Sequence, residues 1–315
     1  MFRSLIVLVS AVCSLIGISN LQASPGAEQK AVLVTGASSG LGRNMTEMMA
    51  AQGYFVYAGA RKDKDIAELN AIENVEAVRL DVTRQDEIDA AVQKISEAGR
   101  GLYGLVNNAG VLVSSPLIEI DEQEFDFQMN VNVYGPYRIT RAFAPLIIES
   151  RGRIVTISSI AGTLSSATWG PYAMSKHAME AFGDALADEM KGFGVKSSLV
   201  EPGTYQSKIA DRAVAKARQG DQPDVVASMD WLTRALAESG DPDDVSKAVI
   251  HALFDDSPKA RYMVVPNQEQ AYATINRAMQ RLVEHNGDQK YSYDREALIE
   301  MLDKALARQA ADPAE

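Results

Sequence analysis

From Ala31 to Val265 the chain alternates short, almost continuous apolar runs with longer amphipathic stretches, and that alternation leaves few ways to fold. The short runs are Ala31–Thr35, Tyr54–Gly59, Val75–Leu80, Leu102–Val106, Arg153–Ser158, Val195–Val200 and Arg261–Val265. A strand that is apolar on both faces must be covered on both faces, as in a parallel sheet between two helical layers. The stretches between them, Leu41–Gln52, Arg84–Ala98, Gln123–Glu149, Tyr172–Phe193 and Asp243–Leu253, are amphipathic and read as helices. Strand alternating with helix implies right-handed βαβ units. The expected fold is therefore α/β, a doubly wound parallel sheet of about seven strands with helices on both faces.

Residues 25–266 read as one domain, in which 205–240 carries no strand signal and is expected to be a helix-containing loop. Beyond it, Gln268–Glu284 and Asp294–Arg308 form a helical C-terminal extension over residues 267–315, expected to pack on the sheet domain or on a partner subunit. Residues 1–24 are different in kind: Arg3, an apolar run from Leu5 to Ile18, then a polar stretch with a plausible cut after Ala23. This reads as a secretory signal peptide. An N-terminal anchor is the second reading, although the run is shorter than the ~20 residues that span a bilayer. Either one places the protein in an exported compartment or at a membrane, with association through residues 1–24 only. A start assigned too far upstream would leave it cytoplasmic. A net charge of -11 makes nucleic acid an unfavourable partner. The single cysteine, Cys13, excludes an intrachain disulfide and a cysteine-built metal site, and no metal is expected.

The first run leads into Thr35-Gly36-Ala37-Ser38-Ser39-Gly40-Leu41-Gly42 and then a helix. Glycines in such a turn let the backbone approach a pyrophosphate, and the helix offers it free N–H groups and a positive dipole end. Glycines also serve ordinary turns, but the strand before and the helix after favour nucleotide binding and a Rossmann-type sheet. The second run ends at Ala60-Arg61-Lys62, where an NAD site usually places a carboxylate. A guanidinium suits a 2′-phosphate, so Arg61 favours NADP(H) over NAD(H), the alternative being two solvated surface cations. Asp81, followed by Val82, is placed to receive an adenine amino group or to cap a helix.

Tyr172 and Lys176 stand four apart on an expected helix, so both can face one cleft. A cation beside a phenol favours the phenolate and is expected to lower its pKa. Pro171 fits the first turn, whose positive end acts in the same direction. Alone, such a pair would be a surface pair. Ser159 gives it context, because it follows a strand at the end where doubly wound sheets bind ligands and can donate to an oxygen gaining charge.

Over roughly Ala31 to Val265 the sequence resembles the short-chain dehydrogenase/reductase family. Thr35–Gly42 matches its TGxxxGxG signature, Asn107-Asn108-Ala109-Gly110 its NNAG motif, and Pro202-Gly203 its PG motif. Ser159, 13 positions before Tyr172, matches its Ser…YxxxK arrangement, and Asn132 falls where the family carries a fourth catalytic residue. The resemblance implies that Tyr172 is the general acid or base, that Lys176 tunes it and binds the nicotinamide ribose, that Ser159 holds the substrate oxygen, and that Asn132 completes a proton relay. It assigns Gly36, Ser38, Ser39, Gly40, Leu41, Gly42, Arg61, Asp81, Val82, Asn108, Ala109, Gly110, Tyr172, Lys176, Pro202, Gly203 and Thr204 to the cofactor, with Asn107 supporting the floor beside them. It also implies a small-molecule alcohol or carbonyl substrate and a homodimer or homotetramer.

Leu102–Val106, Asp188-Glu189-Met190 and Glu201-Pro202-Gly203 look closest to the retinol and hydroxysteroid dehydrogenase branch, which points to an apolar substrate. Ile209, Val214, Val225, Val226, Met229, Trp231 and Leu232 would line its pocket or form the inner face of ordinary helices. Three alternatives are weaker. An epimerase or dehydratase normally has another glycine spacing, a non-catalytic nucleotide sensor has no need of the intact Ser159, Tyr172, Lys176 and Asn132 set, and a hydrolase on Ser159 finds no triad role for His177, His251 or His285.

Overall fold

The computed structural model describes residues 29–206, 208–217 and 223–311, so the leader assigned to residues 1–24 lies outside the described residues. Seven strands form one sheet: β1 Ala31–Val34, β2 Phe55–Ala60, β3 Val75–Arg79, β4 Gly104–Asn107, β5 Arg153–Ile157, β6 Lys196–Pro202 and β7 Arg261–Val264. Their order is β3-β2-β1-β4-β5-β6-β7, and every pairing is parallel. Side-chain alternation divides the core in two. Val32 and Val34 of β1 join Val56, Val106, Val155 and Val200 beneath α1 (Gly40–Ala51) and α9 (Asp243–Phe254). Ala31 and Leu33 face the other way, with Tyr57, Leu105 and Ile154, under α3 (Gln85–Glu97), α5 (Gly135–Glu149) and α6 (Gly170–Lys191).

Helix α2 (Asp63–Asn70) follows β2 in a segment where no helix is expected, because Leu69 is its only fully buried side chain and so little of its pattern is apolar. The stretch Gln123–Glu149 is not one helix. It is α4 (Glu122–Met129), a π turn over Asn130–Tyr134, and α5. Pro136, in the first turn of α5, has no N–H for the regular ladder, and a Cβ on Gly135 would stand 2.7 Å from Val82.

The loop 205–240 holds α7 (Lys208–Ala217) and α8 (Pro223–Ala237), closed by a bridge between Tyr205 and Gly240. Val225 and Met229 pack with Ala213 and Val214 between these helices, the ordinary-helix alternative for those positions, while the Trp231 side chain lies outside the described residues. After β7 come α10 (Gln268–Asn286) and α11 (Arg295–Ala311). Thr274 of α10 is buried, whereas α11 leaves Ile299, Leu302 and Leu306 largely exposed.

Candidate active site

Strand order runs outward from β1 in both directions, and the loops at the carboxyl ends of the strands surround one cavity of about 620 Å³. The glycine turn forms one side. Gly36 has φ +69°, and a Cβ on it would stand 2.9 Å from Ala109 Cα. At Gly42 a Cβ would stand 2.4 Å from Asn108 Nδ2 and from Gly36 O, so α1 reaches the β4 loop only because that side chain is absent. In the motif Thr35 reads merely as the residue before Gly36, yet it is the hub of this junction. Its Oγ1 accepts from the N–H of Asn108 and of Ala109, each at 3.0 Å, and donates to Val106 O at 3.2 Å. Asn108 Nδ2 donates back to Thr35 O at 2.8 Å. The junction leaves Ser38, Ser39, Gly40 and Leu41 open to the cavity at the N-terminus of α1, where an anion is favoured.

Arg61, Asp81 and Val82 line the far end. Arg61 Nη1 donates to Asp81 Oδ2 at 3.3 Å, while Asp81 Oδ1 accepts from the N–H and hydroxyl of Thr83. Burial pushes the Asp81 carboxyl up, but the hydrogen bonds from Thr83 and Arg61 outweigh it and its pKa is lowered. Asn107 is not part of the floor. It is buried at the end of β4, and its Nδ2 donates to Thr140 Oγ1 of α5 at 2.9 Å. Alternation along the strand turns Asn107 into the helical layer, and Asn108 faces the cavity instead.

Ser159, Tyr172 and Lys176 meet in the middle of the cavity. Tyr172 lies within hydrogen-bonding reach of the Ser159 hydroxyl, which accepts from Ala161 N at 3.1 Å and has Pro202 O at 3.3 Å as an acceptor for its one proton. Lys176 Nζ donates to Ile157 O at 2.9 Å and stands 5.7 Å from the centre of the Tyr172 ring. The expected lowering of the phenol by this ammonium is not what the geometry produces. Burial pushes Tyr172 up to about 12 against the smaller effect of the Ser159 hydrogen bond, and pushes Lys176 down to about 8 against the pull of Glu180. Desolvation is the largest influence on both groups.

Asn132 sits behind the cavity wall in the π turn. Its Oδ1 accepts from Val111 N at 2.8 Å, and its Nδ2 donates to Val111 O and to Ser175 Oγ, each at 3.0 Å. Ser175 Oγ donates in turn to Tyr172 O at 2.7 Å, and buried Gln128 holds the same loop through Val111 O and Val113 N. Asn132 thus reaches Tyr172 through Ser175 and the backbone of α6. Ser175 was legible only as a spacer inside YxxxK, and Gln128 gave no signal.

On the last side, Pro202, Gly203 and Thr204 continue the wall, and Leu112, Trp169, Ile209, Leu232 and Leu236 close it with apolar surface. Helix α10 braces this side twice. Gln270 Oε1 accepts from Thr204 N at 2.9 Å, and Arg281 Nη2 donates to His177 Nε2 at 2.9 Å.

A glycine cradle at a helix N-terminus, facing a serine, tyrosine and lysine across one cavity, defines a nicotinamide-dependent oxidoreductase on a Rossmann-type sheet. Residues 30–218 match the family model described as short chain dehydrogenase, and the chain belongs to that family. It is 34% identical over 262 residues to the mitochondrial D-beta-hydroxybutyrate dehydrogenase of Bos taurus, covering 74% of this chain and 76% of that one. With 17-beta-hydroxysteroid dehydrogenase type 6 of Homo sapiens it shares 38% identity over 185 residues, 57% of this chain and 58% of that one. Among solved structures, a short chain dehydrogenase/reductase from Burkholderia phymatum in complex with NAD aligns with a TM-score of 0.72 at 26% identity, covering 84% of this chain and 99% of that one.

Proposed function

We propose that the enzyme moves a hydride between NADP(H), in preference to NAD(H), and the alcohol or carbonyl carbon of an apolar substrate of retinoid, steroid or lipid-like character. The observation that carries this reading is the convergence of Ser159, Tyr172 and Lys176 on the cavity that also holds the glycine turn. The residues present fit such a cofactor. The cradle at α1 suits its pyrophosphate, Arg61 a 2′-phosphate, Asp81 and Val82 the adenine, and Lys176 with Tyr172 the nicotinamide ribose. When bound, the nicotinamide supplies or accepts the hydride.

The rest is done by the chain. Ser159 holds the substrate oxygen by a hydrogen bond that strengthens as charge develops there. Tyr172, with a pKa of about 12, carries its proton at neutral pH and delivers it to that oxygen during reduction. In oxidation it takes the proton back. Lys176 lies close enough to influence that transfer, and Asn132 with Ser175 fixes the turn of helix from which Tyr172 projects. The wall formed by Leu112, Ile209, Leu232 and Leu236 excludes water and supports the apolar assignment. Exposed Tyr134 and Tyr137, beside and on α5, support pairing of subunits into a homodimer or homotetramer through the long helices.

The test is a titration of the chain with NADPH and NADH by nicotinamide fluorescence, followed by turnover on a panel of retinoid, steroid and aliphatic carbonyls. Tyr172→Phe is expected to keep nucleotide binding and lose about 10²–10⁴-fold in turnover. Binding of neither nucleotide refutes the proposal.

A further inference from the structure

Beside Lys176 lies a largely buried ionic cluster that the chemistry above does not use. Glu180 stands four residues further along α6, on the same face as Lys176. Its side chain is 16% exposed and accepts two N–H groups from Arg261 of β7, Nη2 at 2.8 Å and Nε at 3.2 Å. Arg261 also reaches Asp184 Oδ1 at 3.0 Å, and its Nε comes within 2.5 Å of Glu201 Oε1 on β6. Glu180 and Glu201 therefore converge on one guanidinium, two carboxyls from neighbouring elements sharing a single cation. Burial, and after it the neighbouring Glu180, push the Glu201 carboxyl up to about 7 against the pull of Arg261.

Three segments of the active site meet on this cluster. Gly162, in the turn that begins at Ser159, lies against the Glu180 carboxyl, and a Cβ there would stand 2.7 Å from its Oε1. Glu201 immediately precedes Pro202-Gly203, whose Pro202 carbonyl accepts from Ser159. The third segment is the helix of Lys176 itself. Apolar packing would join these segments without the desolvation cost of burying charges, which points to a use for the charge. Other titratable or charged groups around Lys176 are Tyr172 on the same helix, His177 beside it with Arg281 of α10 on its ring, and Arg61, Asp81, Tyr205 and Lys208 on the walls of the same cavity.

We propose that Glu180, held by Arg261, is a positioning residue that keeps Lys176 cationic and, through the guanidinium it shares with Glu201, ties its helix to the Ser159 turn and the Pro202-Gly203 wall. This rests on the reading of Lys176 as a catalytic group.

The experiment follows the Lys176 amine in the full chain by NMR of protein carrying lysine labelled with ¹³C beside the amine, its signal assigned with Lys176→Arg. The alkaline limb of turnover is measured in parallel. Glu180→Gln is expected to lower the Lys176 midpoint and the limb together, by about one pH unit, the lower end for loss of a neighbouring opposite charge. On the limb that is about a tenfold loss. Arg261→Gln, which removes a cation from the same cluster, is expected to move both upward. Asp184→Asn, at the exposed edge, is expected to move neither. An unmoved midpoint in folded Glu180→Gln, or a downward shift in Arg261→Gln, overturns the proposal. Because the midpoint is read without turnover, a chain that binds no nucleotide but still shows these shifts refutes the oxidoreductase reading and leaves the electrostatic coupling standing.

Discussion

Thr35→Val tests how the cofactor cradle is held, because it keeps the side-chain shape and deletes the hydroxyl. Two N–H groups, those of Asn108 and Ala109, lose their acceptor, and Val106 O loses a donor. Thr35 is 1% exposed, so water does not readily replace the hydroxyl there. A hydrogen bond is worth about 1 kcal/mol net, and a stranded buried group costs about 1–3 kcal/mol. The Val variant should therefore be less stable by about 2–4 kcal/mol. Thr35→Ser keeps the hydroxyl and gives up one buried methyl, about 1 kcal/mol. Against a stability typically of about 5–15 kcal/mol the difference is easily measured. Urea unfolding of both variants, compared at unchanged m-value, is the assay. Because Asn108 and Ala109 line the cavity, the Val variant should also raise the KM for nucleotide more than the Ser variant does. Equal stability of the two variants would refute the hub.

Two further substitutions address the cofactor. Arg61→Asp should lower the ratio of NADP to NAD efficiency by about tenfold or more, as expected for replacing attraction to a 2′-phosphate by repulsion; a ratio that does not fall removes Arg61 from that role. Gln270→Ala strips Thr204 N of its acceptor and should raise the KM for nucleotide about fivefold, the equivalent of about 1 kcal/mol, with a smaller effect on kcat. An unchanged KM would show that the brace from α10 is idle.

Much of this architecture could be read in the chain because its signals are local. Each strand is a short apolar run, and the glycine turn and the Tyr172–Lys176 pair are contiguous motifs whose geometry follows from one turn of backbone. What escaped notice depends on distance in sequence or on small departures from ideal geometry. Helix α2 is too polar to show a period. The π turn at Asn130–Tyr134 is a change in hydrogen-bond register that composition does not encode. Asn107 and Asn108 are adjacent identical residues, told apart only by where β4 ends. Glu180, Glu201 and Arg261 lie on three elements, and their meeting depends on the order of β6 and β7 in the sheet. The direction of the phenol's pKa was hidden for a related reason: proximity in sequence reveals the ammonium but not the burial around each group.

The hold of α10 on Thr204 and His177 makes the C-terminal helices a lever on the reacting centre. His177 is the neighbour of Lys176 in the chain, so a force on α10 reaches the Lys176 turn of α6 and the Thr204 wall at once. Fusion partners, affinity tags or surface tethers attached beyond α11 would pull on the enzyme's working parts. The same attachments at exposed Arg100, in the turn that enters the central strand β4 at its amino end, would hold the molecule from the side away from the cavity.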